Sequence, residues 1–291
     1  MSTLAENKLL AANKIPGSIY KAQVGKFTLN YLKAGSGPPL ILIHGINIGW
    51  GQWYPNLEHL SKANTIYALD LPGAGNSSRV NYSVINWISD YVETIERFVS
   101  QTGIGKVSLV GHSSGGWMAL KIAERKNIPI DKMILISPLG FTDQLPFKFY
   151  PITFKLLANL IARTVAKLSQ KNLDSIIRSL TGKLLLSPEF LEYYYDSLKF
   201  QGGEKAHPFS FINQLCRPFR LRKEISGIDP TKVDRPTLLF LGEKDSLLKF
   251  EKIRDSVTII PMVKLRILPE VGHVAALERP TLFNSEVSEF L

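Results

Sequence analysis

The segment Val110-Gly111-His112-Ser113-Ser114-Gly115-Gly116-Trp117 constrains this chain more than any other stretch. It closes a strand-like run, "KVSLV", and opens an amphipathic pattern that continues to Arg125. Between them lies G-x-S-x-G, as Gly111-His112-Ser113-Ser114-Gly115. A strand that passes directly into a helix must bend so sharply that its central residue is strained and exposed at the sheet's edge. Neighbouring backbone then passes close by, so positions 111 and 115 have to be small. The frame makes Ser113 the candidate nucleophile. Ser114 contributes chiefly a backbone N–H at the helix start, where it can stabilise a developing oxyanion.

A serine hydroxyl is a poor nucleophile near neutral pH and needs a base, itself oriented by an acid. The chain has five histidines. His44 ends an apolar strand and reads as shaping the loop after it. His59 lies in a polar helix, His112 sits inside the turn and points elsewhere, and His207 falls in the chain's middle block. His273, in "LPEVGH", follows the last strand pattern, where open α/β sheets gather their sites. It also comes after the serine, as the order serine, acid, histidine requires. His273 is therefore the candidate base. For the acid, "LLFLGEKD" offers Glu243 and Asp245, and Asp143 competes from an earlier strand end; Asp245, just past a strand edge, is preferred. A second oxyanion donor is expected from "HGINIGW", as the backbone N–H of Ile46.

The rest of the chain supplies a scaffold for such a turn. "FTLNYLKAG", "PPLILIHG", "NTIYALDLPG", "KVSLVGHS", "KMILISPLG", "PTLLFLGEKD" and "VKLRILPEVGH" are short apolar runs bounded by glycine and proline. Such runs suit strands of a parallel sheet covered on both faces. Amphipathic stretches, among them 84–100 and 115–125, separate them, and the alternation argues for an α/β fold. The rhythm stops after Gly140 and resumes at Pro236. Residues 141–230 show no convincing strand and read as a helical cap inserted into a core made of 1–140 and 231–291. One cap helix is expected over 152–168, and another starts at Ser187-Pro188-Glu189, a cap residue followed by proline at the first helical position.

Composition narrows the function classes. The single cysteine, Cys216, excludes an internal disulfide and reads as an inert packed thiol. It suits a reducing compartment. No signal-peptide pattern opens the sequence and no apolar run approaches the roughly 20 residues of a membrane span, so a cytoplasmic protein is expected. Net charge is +10. Residues 141–230 hold 13 Lys and Arg against 8 Asp and Glu, the same excess that residues 1–140 spread over more positions. With no nucleic-acid motif to accompany that charge, nucleic acid is not an expected partner. The same block holds 13 of the 29 aromatic residues, which suggests either an apolar pocket wall or rings that hold the cap to the sheet. Lys155, Asn159, Arg163 and Lys167 form a stripe at four-residue spacing beside a broad apolar face. Such a helix can lie on an anionic membrane. The preferred reading is the plainer one, a solvated face on a packed cap helix.

"GPPLILIHG", "LDLPGAGNSS", "VGHSSGG", "LGEKD" and "VGH", in this order and spacing, resemble the α/β-hydrolase fold family from about Phe27 to Leu291, least so in the cap. The resemblance implies a mostly parallel eight-stranded sheet with a helical cap. It carries a catalytic triad onto Ser113, Asp245 and His273, with no cofactor and no metal. Related epoxide hydrolases and dehalogenases have aspartate where this chain has Ser113. Similar cofactor-free perhydrolases often carry an aromatic residue and a methionine where Ile46 and Ser114 stand here. The expectation is a serine hydrolase that cleaves a small carboxylic ester with an apolar acyl or aromatic group. The alternatives are a carbon–carbon hydrolase of the ring-cleavage type, an acyltransferase and a ligand receptor on the same fold. Oligomeric state is not legible.

Overall fold

A computed structural model describes residues 2–46, 48–165, 186–202 and 208–291. Its eight-stranded sheet has the order β1 (Gly17–Val24), β2 (Phe27–Ala34), β4 (Thr65–Leu69), β3 (Pro39–Ile43), β5 (Val107–His112), β6 (Ile130–Ile136), β9 (Thr237–Gly242), β10 (Val263–Leu268). Only β2 runs antiparallel to its neighbours; every other pairing is parallel. The apolar runs are continuous because both faces are covered. Along β3, Ile41 and Ile43 join one core while Leu40 and Leu42 join the other. Helices α3 (Glu93–Thr102) and α4 (Ser114–Arg125) cover the first face, and α2 (Tyr54–Leu60) helps cover the second.

Several elements lie outside the expected set, the first two of them at the N-terminal end. Helix α1 (Leu4–Ala12) is closed by a capping box between Thr3 and Glu6, and β1 is an edge strand with a single buried residue, Val24, a weak apolar signal. The expected helix over 84–100 is shorter and shifted: a π-helical turn (Ile88–Val92) leads into α3. Among the described residues, no helix is long and apolar enough to cross a membrane.

Residues 141–230 lie between β6 and β9. They include α5 (Lys155–Val165), α6 (Pro188–Gln201) and α7 (Pro208–Leu215). Ser187 caps α6, accepting from the Phe190 N–H, with Pro188 in its first turn. The expected helix over 152–168 begins instead as a 3₁₀ turn, Pro151–Thr153, with α5 following; residues 166–168 lie outside the described residues. The expectation of no strand here is corrected by a two-residue pairing, β7 (Cys216–Arg217) with β8 (Arg220–Leu221), too short to leave a periodic signal. Cys216 is buried, and burial pushes its thiol up to about 12, so it stays protonated.

Aromatic side chains hold this block to the core. Tyr193 packs on Trp50 at 5.1 Å, Phe190 on Tyr54 at 5.4 Å, and Phe211 on Trp87 at 4.8 Å. Much of the aromatic excess is therefore anchoring. Tyr193 also reaches a buried polar cluster, donating from its hydroxyl to Asp70 Oδ1 at 3.2 Å. Asp70 accepts the Trp50 N–H at 2.7 Å, the Asn76 N–H at 2.9 Å and Asn30 Nδ2 at 2.8 Å. Asn30 Nδ2 lies 2.9 Å from Glu6 Oε1 as well, so α1, the sheet and α6 meet around two buried carboxyl groups. Burial, and then the charge of Glu6, raise the Asp70 carboxyl to about 7, even though its donors favour the carboxylate.

A carboxyl raised on folding binds its proton more tightly in the native state. Its contribution is complete below about pH 4 and is lost as pH rises through about 7. Thermal stability should therefore fall more between pH 5 and pH 8 in the wild type than in Glu6→Gln, which removes the like charge. Equal slopes in thermal melts of the two proteins would contradict this origin.

Candidate active site

Ser113 stands between β5 and α4 with φ 53° and ψ −114°, a left-handed conformation for a residue that carries a side chain. Such strain persists only where surrounding structure over-determines it. Here the Ser113 N–H donates to the Ile136 carbonyl at 2.9 Å, and its own carbonyl accepts from Trp117 and Leu139, each at 3.1 Å. A Cβ on Gly111 would meet the Gly115 oxygen at 2.6 Å and Gly116 Cα at 2.7 Å. A Cβ on Gly115 would strike the carbonyl oxygens of Ile43 and His44. The small residues around the hydroxyl are thus where backbone of β3 and α4 closes on the turn. The expectation of an exposed serine is corrected: Ser113 is buried, with the Pro138–Leu139 chain and its neighbours enclosing the turn.

His273 Nδ1 bonds Asp245 Oδ2 at 2.7 Å. The other Asp245 oxygen accepts backbone N–H groups of Leu247 at 2.8 Å and Leu248 at 2.9 Å. Burial alone would raise the Asp245 carboxyl. The charge and hydrogen bond of His273, with the two N–H donors, outweigh it and hold the group at about 2. Asp245 is therefore an anion, which makes Nδ1 the donor and turns Nε2 into the acceptor. Glu243, two residues earlier, is exposed. Asp143 lies elsewhere, paired with Arg220 at 2.8 Å and Arg217 at 3.4 Å on the β7–β8 hairpin.

The turn and the acid–histidine pair are joined by His112. Its Nε2 meets the His273 carbonyl oxygen at 3.1 Å, and the two rings lie edge to face at 4.9 Å. Burial, and then His273, press the His112 imidazole down to about 3, so it stays neutral and acts as a spacer. His44 is buried too and held at about 4; it accepts the Leu71 N–H at 3.0 Å and contacts the Gly45 carbonyl at 2.5 Å, in keeping with a loop-shaping role. The Gly45 N–H is taken by Gln52 Oε1 at 3.0 Å, which leaves the Ile46 N–H as the next donor of that loop. The Ser114 N–H lies in the first turn of α4, where helix geometry provides no intrahelical acceptor. His59 contacts Ser288 at an exposed position, and His207 lies outside the described residues. Among the described residues, no group of three or more His, Cys, Asp or Glu side chains could hold a metal ion.

Glu278, which sequence reading did not single out, clamps the histidine loop. Its carboxylate accepts the Gly272 N–H at 2.7 Å and the Val274 N–H at 2.9 Å, one on each side of His273. The spacing of six and four residues is the signal that was available. It has force only once the chain is known to turn back there, into the short helix Ala275–Glu278.

The chain belongs to the α/β-hydrolase fold family, whose model matches residues 38–280. An uncharacterized carboxylesterase, nap, of Bacillus subtilis (strain 168) is 24% identical over 261 residues, which is 87% of this chain and 79% of that protein. Among solved structures, carboxylesterase CesB (YbfK) of Bacillus subtilis superimposes with a TM-score of 0.77 at 19% identity, covering 98% of this chain and 95% of the other. The meta-cleavage product hydrolase CumD of Pseudomonas fluorescens IP01 superimposes at 0.75 and 21% identity, covering 93% and 96%.

Hydrogen bonds to a charged acceptor contribute about 1.5–3 kcal/mol each, or about 10- to 150-fold in a local opening equilibrium. Glu278→Ala should accordingly speed hydrogen–deuterium exchange at the Gly272 and Val274 amides by a factor in that range. Unchanged exchange at both would remove Glu278 from the positioning of His273.

Proposed function

We propose that this chain is a cofactor-independent serine hydrolase that cleaves a carboxylic ester with an apolar acyl or aromatic group. One observation carries the reading: a serine held at φ 53° lies next to the residue that bonds the loop of a histidine oriented by a buried carboxylate. Ser113 Oγ attacks the ester carbonyl carbon while His273 Nε2 takes its proton. The negative charge that forms on the carbonyl oxygen is held by the N–H groups of Ser114 and Ile46, in a site where fixed dipoles act with little screening. Collapse breaks the ester C–O bond, and the leaving alcohol takes the proton from His273. Water then attacks the acyl-enzyme with His273 as base, releasing the acid and restoring Ser113. Asp245 stays ionised throughout, fixing the tautomer and balancing the imidazolium. The carboxylesterase among the relatives supports ester cleavage, and the ring-cleavage neighbour shares the fold.

Fluorophosphonate labelling and p-nitrophenyl ester turnover test the assignment. Ser113→Ala should abolish both and Ser114→Ala should keep both. Asp245→Asn should fold normally and lose on the order of 10⁴ in kcat, as in the serine-protease case. Labelling that survives in Ser113→Ala, or single-turnover behaviour on every ester with strong ligand-induced stabilisation, would contradict the hydrolase reading; the second result would favour a receptor.

A further inference from the structure

Helix α5 is built the reverse of an ordinary cap helix. Its inward positions are alanines, Ala158 and Ala162, both fully buried. The large side chains face out: Leu156 is 85% exposed, Leu160 61% and Leu157 45%. This corrects the expectation of a packed apolar face. The close approach comes from the alanines, with Asn213 of α7 bonding the Ile152 carbonyl at 2.8 Å just before the helix. A single exposed leucine is ordinary, but a contiguous apolar patch marks a contact surface.

The patch extends past the helix through a chain of rings. Phe154 meets Phe219 edge-on at 5.2 Å, Phe219 meets Tyr150 at 5.1 Å, and Tyr150 meets Phe147 at 5.3 Å. Phe147 is 83% exposed and Phe219 49%. Phe219 sits in the turn of the β7–β8 hairpin at φ 67°, a conformation that is a genuine outlier for a bulky residue. The hairpin thus spends backbone strain to present an aromatic ring to solvent. Basic side chains outnumber acidic ones around these side chains; Asp143 pairs with Arg217 and Arg220 beside Phe219. Among the described residues, 144–165 contain Lys148, Lys155 and Arg163 and no Asp or Glu. Of these, Lys148 and Lys155 are exposed.

We propose that this surface docks on an anionic phospholipid layer. Leu156, Leu160, Phe147 and Phe219 enter the boundary between headgroups and acyl chains, and Lys148 and Lys155 meet the headgroup charges. Aromatic and aliphatic side chains ringed by basic ones are the composition such a boundary selects. The charge argues against a second copy of the chain, which would bring the same basic surface against itself. The patch also begins beside the candidate site: Lys148 Nζ donates to Ser246 Oγ at 3.1 Å, next to Asp245. Docking there sets this edge of the cap against lipid. The binding does not depend on the hydrolase reading, since it involves none of that site's residues.

Vesicle flotation of the full chain tests this, with phosphatidylcholine alone and with phosphatidylcholine and phosphatidylglycerol at about 70:30. The protein should float with the mixed vesicles, lose affinity as salt rises, and stay behind with the neutral ones. The double substitution Leu156→Ser with Leu160→Ser should lower the affinity about tenfold or more, as should Phe219→Ser. Lys155→Gln should weaken binding and flatten its salt dependence. A tryptophan at position 156 should shift its emission to the blue on mixed vesicles, a readout independent of the stability of the serine variants. Equal binding to both vesicle types, no binding, or wild-type affinity in the leucine double variant would overturn the proposal. So would a solution dimer that the same double variant disrupts.

Discussion

The bend at Ser113 is the constraint on which the remainder of the site depends. A left-handed residue between β5 and α4 brings α4 so close to β3 that Gly115 has no room for a Cβ against the Ile43 and His44 carbonyls. That approach sets the height of the strand ends and puts the His44 loop beside the turn. Because β5 lies in the middle of a parallel sheet, the ends of β9 and β10 emerge on the same edge. The carboxylate and the histidine then follow from topology: each needs only a short loop past its own strand.

Rigid support reaches the site from several directions, and much of it is polar. Asp245 has its oxygens occupied by His273, Leu247 and Leu248, so its carboxylate has few alternative orientations. Glu278 holds the backbone on both sides of His273. Two neutral histidines, His44 and His112, fill the space between loops; because burial suppresses their charge, they bring no competing positive charge to the site. Farther out, the Glu6–Asp70 cluster joins the N-terminal helix to the cap through Tyr193. The fold thus places these polar groups between loops and leaves a continuous apolar cluster on each face of the sheet.

Much of this was legible in the sequence where chemistry and periodicity agree. The runs at 40–43, 109–110 and 238–241 are apolar because both faces are buried, and G-x-S-x-G admits few geometries. Asp245 and His273 were legible from their places after strands. What escaped reading depends on tertiary contact. Strand β1 pairs at an exposed edge and has little apolar character. Glu278 acts only because the chain reverses after His273. The orientation of α5 was inverted in the sequence reading: a helical pattern shows that leucines and alanines lie on different faces, and nothing local tells which face packs. The burial of Ser113 escaped for the same reason, since it is imposed by the chain around Pro138 and Leu139 and not by the turn itself.

The proposed mechanism requires Ser113, His273 and the N–H groups of Ser114 and Ile46 to converge on one reacting carbon. The most direct measurement is a crystal structure of the protein inactivated by an alkyl phosphonate. The account predicts phosphorus bonded to Ser113 Oγ, the phosphoryl oxygen within about 3.1 Å of both N–H nitrogens, and His273 Nε2 facing Oγ or the leaving-group position. Phosphorus on another residue, or a phosphoryl oxygen turned away from Ser114 and Ile46, would contradict it.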